Sequence, residues 1–231
     1  MNASDPNASV LELVASALGS LREDLVLVGG CSVGLLITDR ARPPVRQTID
    51  VDVVTEVTSI VDYYATADRL RQCGFRESHE ANNMCRWRNG ELILDLMPSD
   101  ESVLGHSTNR WYTEAVRSAQ KIALPSGKQI RLIAPAVFIA TKLASFNDRG
   151  GGDYTHHDME DIVNVIDGRP ELIGEVSAAP EEVRNYIRAE VDGLLADQTF
   201  FDALPWLLLG DQANQARLPL IVDRLRALAG L

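Results

Sequence analysis

Apolar residues Val10, Leu11, Leu13, Val14, Ala17, Leu18 and Leu21 recur at helical spacing and predict a first helix over 8–21. Leu25 to Val28 is a short branched run closed by Gly29-Gly30, the pattern of a buried strand entering a tight turn. A small-residue opening, Cys31-Ser32, leads into a helical face of Val33, Leu35, Leu36 and Ile37 that Arg42-Pro43-Pro44 ends, because proline cannot continue a helix. Residues 49–54 switch to period two: Ile49, Val51 and Val53 alternate with Asp50 and Asp52, so a strand is expected with its apolar set inward and both carboxylates on the other side. Ser59 can cap a helix to about Cys73, with Ile60, Tyr63, Tyr64, Ala67 and Leu70 inward and Gly74 as its stop. Next comes a hairpin, 84–88 and 91–97 around Asn89-Gly90.

Residues 99–118 read as loop and short helix around Trp111, Tyr112 and Val116. A second hairpin joins 121–124 to 129–133 through Pro125-Ser126-Gly127, giving about five or six mixed strands in all. From Ala134 only helical patterns remain. One helix runs from Pro135 to Phe146 and Asn147 to Gly152 forms a joint. Asp153 or Thr155 caps a helix over 155–167 that buries Met159, Ile162, Val163 and Ile166. Further helices are expected over 170–177, 180–197, 199–209 and 213–229, with Trp206 to Leu209 as core. The expected class is α+β: a mixed sheet with helices packed on it over 1–133, then an α-helical C-terminal domain over 134–231.

With 231 residues and 45% apolar content the chain can bury a real core. No run of 18 apolar residues occurs, and Met1-Asn2-Ala3-Ser4-Asp5-Pro6 lacks the basic-then-apolar order of a secretory leader, so a cytoplasmic protein with no membrane association is expected. Cys31, Cys73 and Cys85 have no disulfide or zinc-ligand spacing and are expected as small core residues. The net charge of −11 argues against a broad basic face for nucleic acid. The imbalance is milder over 1–133, with 14 Lys+Arg against 17 Asp+Glu, than over 134–231, with 8 against 16. Arg40, Arg42 and Arg46, and separately Arg69, Arg71 and Arg76, form local groups that could meet a polyanion or merely solvate a surface.

The candidate chemistry is carboxylate chemistry. Asp50 and Asp52 on one strand have Cα atoms about 7 Å apart and can converge on one or two hard cations, or can merely solvate an exposed strand face. Asp95 is the lone interior charge of the apolar run Leu92 to Leu96 and needs a cation, a partner or water; Arg86 and Arg88 are the alternative partners. Gly29-Gly30 is by itself more often a turn than a phosphate cradle; as a cradle it would let backbone approach phosphate oxygens, with Ser32 and the following helix N-terminus as donors. Adjacent histidines on a helix point about 100° apart, so His156 and His157 are not expected to share an ion.

Order and spacing add a resemblance. A strand ending in Gly29-Gly30 at a helix start, followed by Arg46-x-Thr48-x-Asp50-x-Asp52, resembles the nucleotidyltransferase superfamily that includes DNA polymerase beta. More closely, residues 25–54 resemble the AbiEii/AbiGii toxin-type nucleotidyltransferases, with their Gly-Gly-small turn, helix and Arg-x-Ser/Thr-x-Asp-x-Asp. TKLASFNDRGGGDYTHHDMEDIV resembles the second part of that family and carries Lys142, Arg149, Asp158 and Asp161, with His157 where the family often has a basic residue. The resemblance implies a nucleotidyltransferase-like fold and Mg2+ (or Mn2+) held by Asp50, Asp52 and a third carboxylate, Asp95. It implies a nucleoside triphosphate bound near Gly29, Gly30, Ser32, Arg46 and Thr48, with Lys142 and Arg46 toward the triphosphate tail and Asp158 orienting Lys142 or touching the nucleotide. The implied acceptor is the tRNA 3′ end, in a toxin with an antitoxin partner. A small aminoglycoside-like molecule or a protein is the rival acceptor, and a degenerate module that binds nucleotide or a partner without chemistry is the non-enzymatic alternative.

Overall fold

The computed structural model describes residues 5–39, 41–42, 45–78, 85–104 and 108–231; Arg40, the Pro43-Pro44 break and Met84 lie outside them. The chain divides into two compact units, one of residues 1–35 with 44–134 and the other of residues 36–43 with 135–231. The α+β class expected from the pattern is what the structure has.

The first unit opens with α1 (Ala8–Ala17), continued by a 3-10 turn over Gly19–Glu23, so the single expected helix is two pieces that part where Gly19 takes φ +57°. Then come β1 (Leu25–Leu27), a 3-10 turn over Gly30–Ser32, α2 (Val33–Leu36), β2 (Val51–Thr55), α3 (Ile60–Gln72), β3 (Arg76–Glu77), β4 (Arg86–Asn89), β5 (Leu92–Pro98), α4 (Tyr112–Ser118), β6 (Gln120–Ala123) and β7 (Gln129–Leu132). They form a seven-stranded mixed sheet in the order β3-β4-β5-β2-β1-β7-β6. The unexpected seventh strand is β3, two exposed residues on the sheet edge with no apolar pattern to betray them. Leu11, Val14 and Leu18 lie over Leu25, Leu27, Val51 and Val53, which sets the α1 side of the sheet. Since successive strand residues alternate, Asp52 projects to the other side.

Three apolar expectations fail here for geometric reasons. Ile49 is 79% exposed because the strand starts only at Val51. On α3 the buried stripe is Tyr63, Ala67 and Leu70, spaced i, i+4, i+7, and it turns Ile60 and Tyr64 outward. Ser59 caps this helix as expected, its side chain accepting from the Asp62 N–H. Tyr63 donates to the Leu96 carbonyl and fastens α3 to β5. Of the cysteines only Cys31 is fully buried; Cys73 and Cys85 are half-buried.

The second unit is helical: α5 (Pro135–Arg149), α6 (His157–Gly168), α7 (Leu172–Ala178), α8 (Glu181–Ala196), α9 (Gln198–Ala203), α10 (Gln212–Gln215) and α11 (Leu218–Ala229). Helix α5 runs one turn beyond Phe146, because Asn147 and Asp148 are merely its polar surface, and the chain leaves only at Gly150, with Gly151 and Gly152 at positive φ. The expected last helix is interrupted, since Pro219 cannot donate a helical hydrogen bond and instead opens α11. Trp206 is 81% and Leu209 54% exposed rather than core. Trp206 lies in a 3-10 turn over Leu204–Leu207, whose three-residue period turns Leu204 and Leu207 inward together and leaves Trp206 outside. Residues 36–43 are bound into this unit by Arg42, whose buried guanidinium pairs with Asp167 at 2.7 Å and hydrogen-bonds Asn164. Among the described residues no helix is long and apolar enough to cross a membrane.

Candidate functional site

Parallel pairing of β2 with β5 sets Asp52 directly opposite Asp95, and antiparallel pairing of β4 with β5 sets Arg86 opposite the same Asp95. Cross-strand partners share a face, so these three side chains emerge together on the side away from α1. Asp50, two residues before Asp52, joins them just ahead of the strand. Asp95 is 5% exposed and lies on an interior strand, between β2 and β4, not on an edge. Its charge is met by Arg86 in a fork: Nε donates to Oδ1 at 2.9 Å and Nη2 to Oδ2 at 2.9 Å. The same Nη2 donates to Asp50 Oδ2 at 2.6 Å.

The glycine turn meets this group at Asp52. Gly29 has φ +67°, and a Cβ added there would stand 1.9 Å from Asp52 Oδ2, so the carboxylate fits against the turn only because residue 29 has no side chain. The Val28 N–H donates to the Asp52 carbonyl and fixes the turn against β2. Beyond Gly29 the chain makes a single 3-10 turn and the four residues of α2, much less than the helix expected. Ser32 is fully buried and its hydroxyl donates back to the Gly29 carbonyl at 2.7 Å, so it braces the turn.

Arg46 and Thr48 are held by a residue that sequence pattern could not single out. Asn7 is fully buried; its Nδ2 donates to the Arg46 carbonyl at 3.1 Å, and its Oδ1 accepts from the Thr48 N–H at 2.9 Å and the Thr48 hydroxyl at 3.3 Å. Beneath this strap burial pushes the Cys31 thiol up to about 12, so it is an inert core group.

The second unit gathers the other candidates around one carboxylate. Lys142, buried on α5, donates to Asp158 Oδ1 at 2.9 Å and lies 2.7 Å from Asp161 Oδ2. Arg149, in the last turn of α5, forks onto both Asp158 oxygens at 2.8 and 3.0 Å. Burial alone would push the Asp158 carboxyl up; the hydrogen bonds and charges of Arg149 and Lys142 outweigh it and hold the group well below the usual carboxylate range. Burial likewise pulls Lys142 down, and Asp161 and Asp158 reverse it, so its ammonium is held above the usual lysine value.

His156, not Asp153 or Thr155, caps α6: its Nδ1 accepts from the Asp158 N–H at 3.2 Å, while Asp153 accepts from the Thr155 N–H and hydroxyl. Because His156 is extended and not helical, the two histidines do not diverge; their ring centroids are 3.9 Å apart. With Asp158 they are the one trio of possible metal ligands among the described residues whose atoms all lie within 4.8 Å. Both Asp158 oxygens already serve Lys142 and Arg149, and a dication there would face two fixed positive charges.

Asp50, Asp52 and Asp95 do not close to 4.8 Å. Their chemistry nevertheless suits a hard cation, being all carboxylate. A positive charge already occupies the group, since the Arg86 guanidinium is shared by two of the three.

No family model matches the sequence, and no curated protein matches it. Among solved structures, an antigenic nucleotidyltransferase-like protein from Paracoccidioides brasiliensis is similar over 98% of this chain and 94% of its own, with 18% identity and a TM-score of 0.49. ANT(2″)-Ia in complex with adenylyl-2″-tobramycin is similar over 80% and 97%, with 14% identity and a TM-score of 0.48. JHP933 from Helicobacter pylori is similar over 96% and 90%, with 11% identity and a TM-score of 0.44.

Proposed function

We propose that this protein is a nucleotidyltransferase with a nucleotidyltransferase-like fold, its transfer domain over 1–133 and a helical domain over 134–231. It moves a nucleoside monophosphate from a nucleoside triphosphate to an acceptor hydroxyl. The observation that carries the reading is the packing of Asp52 on the side-chain-free Gly29 turn, in register with Asp95 and beside Asp50. Carboxylates crowded this way on one face have a use in phosphoryl chemistry that a passive binding module lacks.

The acceptor oxygen forms a bond to the α-phosphorus as the bond to the bridging oxygen breaks and pyrophosphate leaves. Asp50, Asp52 and Asp95 are the residues that would hold Mg2+ (or Mn2+), which when bound neutralises the triphosphate and the charge of the in-line displacement. Asp95 would also take the proton of the attacking hydroxyl. The Gly29-Gly30 backbone approaches phosphate oxygens, braced by Ser32, and Arg46 with Thr48 flanks the nucleotide. In the second unit Lys142 is oriented by Asp158.

A small, cationic, hydroxylated acceptor of the aminoglycoside kind fits the charge pattern best. Four of the six arginines that could meet a polyanion have partners within the protein: Arg42 is buried against Asp167, Arg69 pairs with Asp24, Arg71 pairs with Asp68 and Glu77, and Arg76 donates to the Arg71 and Phe75 carbonyls. The tRNA 3′ end, with a toxin role and an antitoxin partner, is the second reading, favoured by the gathering of Lys142, Arg149, Asp158 and Asp161. Incubation with Mg2+, each labelled nucleoside triphosphate, total tRNA and an aminoglycoside panel decides between them. Label should pass to one acceptor class with wild type and not with Asp52→Ala. Label on nothing, with both proteins alike, overturns the transferase.

A further inference from the structure

The Arg86 guanidinium, shared by Asp50 and Asp95, sits where the transfer reading needs a divalent ion. We propose that Arg86 is an internal competitor of that ion: it holds Asp50 and Asp95 in the resting protein and is displaced when the ion binds. The inference rests on the nucleotidyl-transfer reading of the same carboxylates and adds a device that sets how readily they take metal.

Both Asp95 oxygens carry an Arg86 hydrogen bond, at 2.9 Å each, and Asp50 Oδ2 carries a third at 2.6 Å. An ion reaching Asp95 with Arg86 in place would lie against a fixed positive charge. The three carboxylates also fall short of a common 4.8 Å spacing while the fork spans two of them. Without the fork the carboxylates of Asp50, Asp52 and Asp95 repel one another, and a dication relieves that repulsion more fully than a single guanidinium. The displacement is mechanically simple. Arg86 is anchored by its backbone opposite Asp95, whereas its side chain is 21% exposed and has several rotatable bonds with which to swing into water. An arginine serving only to neutralise a buried aspartate would need no bond to Asp50, whose side chain is 34% exposed and solvated.

The test is Mn2+ binding to the nucleotide-free full chain, read by electron paramagnetic resonance of free Mn2+, for wild type, Arg86→Gln, Arg86→Lys and Asp52→Asn. Arg86→Gln should bind Mn2+ on the order of tenfold more tightly than wild type. Arg86→Lys, which keeps the charge, should stay within a few-fold of wild type, and Asp52→Asn should lose binding. Equal or weaker binding by Arg86→Gln, with Asp52→Asn still abolishing it, overturns the competitor role and leaves the ion site standing. Absence of binding in all four proteins overturns both. Should Arg86→Gln fail to fold, Mg2+ titration of the wild type under nuclear magnetic resonance decides the matter. The Arg86 Nε–Hε signal should move in step with ion binding, and a signal that stays put while the ion binds overturns the proposal.

Discussion

The Asp52 carboxylate occupies the space that any side chain on residue 29 would need: a Cβ there would come within 1.9 Å of Oδ2. Gly29 also has φ +67°, which other residues adopt only with strain. Gly29→Ala should therefore push Asp52 aside and strain the turn together. Nucleotidyl transfer is expected to fall on the order of 100-fold, the usual result of displacing a reacting group by about 1 Å. Steady-state transfer to the acceptor class that takes up label, beside a thermal melt, checks it; near-wild-type transfer would show that the Asp52 position is unimportant.

Asn7 acts on the same site from a distance. It satisfies the Arg46 carbonyl and the Thr48 N–H and hydroxyl, and it is fully buried. Asn7→Ala leaves those groups short of partners at a cost of about 1–3 kcal/mol. The strand entry bearing Asp50 and Asp52 should loosen with it, raising the triphosphate KM more than it lowers kcat. Asn7→Asp, which keeps the accepting oxygen, should recover part of the loss. Urea titration and the KM against kcat split measure the two effects separately.

The features legible in the sequence are those that depend on local period. That residues 50 and 52 share a face comes from the two-residue repeat of a strand, and the hairpin around Asn89-Gly90 from turn chemistry, with Gly90 at φ +59°. The features that were not legible depend on register between distant segments. Arg86 stood in the sequence only as an alternative partner for Asp95, yet it also reaches Asp50, 36 residues away, because two ladders meet at Asp95. Asn7 and Thr48 are 41 residues apart, and no spacing within either segment predicts that they meet. The exposure of Trp206 is not legible because four consecutive apolar residues carry no period; the 3-10 turn supplies one that excludes it from the core.

Asp167 is the electrostatic anchor of the second unit. Its fully buried carboxylate pairs with the buried Arg42 at 2.7 Å and takes the Arg217 Nε at 2.8 and 3.0 Å, while Arg217 also reaches Asp39 at 2.7 Å. Asp167→Ala would leave a buried guanidinium without its counter-charge, and such losses cost about 3–5 kcal/mol. The urea midpoint should fall accordingly, with the Thr38, Asp39 and Arg42 amides of the 36–43 segment the first to lose hydrogen-exchange protection. A change under about 1 kcal/mol would mean that the segment is held by its apolar contacts instead.

The pair of Lys142 with Asp158 makes the pH dependence of stability predictable in sign. The native Asp158 carboxyl is held below its unfolded value, so the unfolded chain binds the proton more readily in acid. Its contribution is complete above the ordinary aspartate value of about 3.9 and is lost as pH falls through the depressed native value. Lys142, held above its ordinary value, contributes fully below about 10.4 and loses that contribution as pH rises through the raised native value. Unfolding free energy measured from pH 2 to pH 7 should therefore decline more steeply on the acid side in wild type than in Asp158→Asn. At neutral pH the variant should be less stable by about 3 kcal/mol, since Lys142 is left buried with only Asp161 opposite it. Equal acid slopes in the two proteins would show that the Arg149 and Lys142 bonds do not hold the Asp158 proton off in the native state.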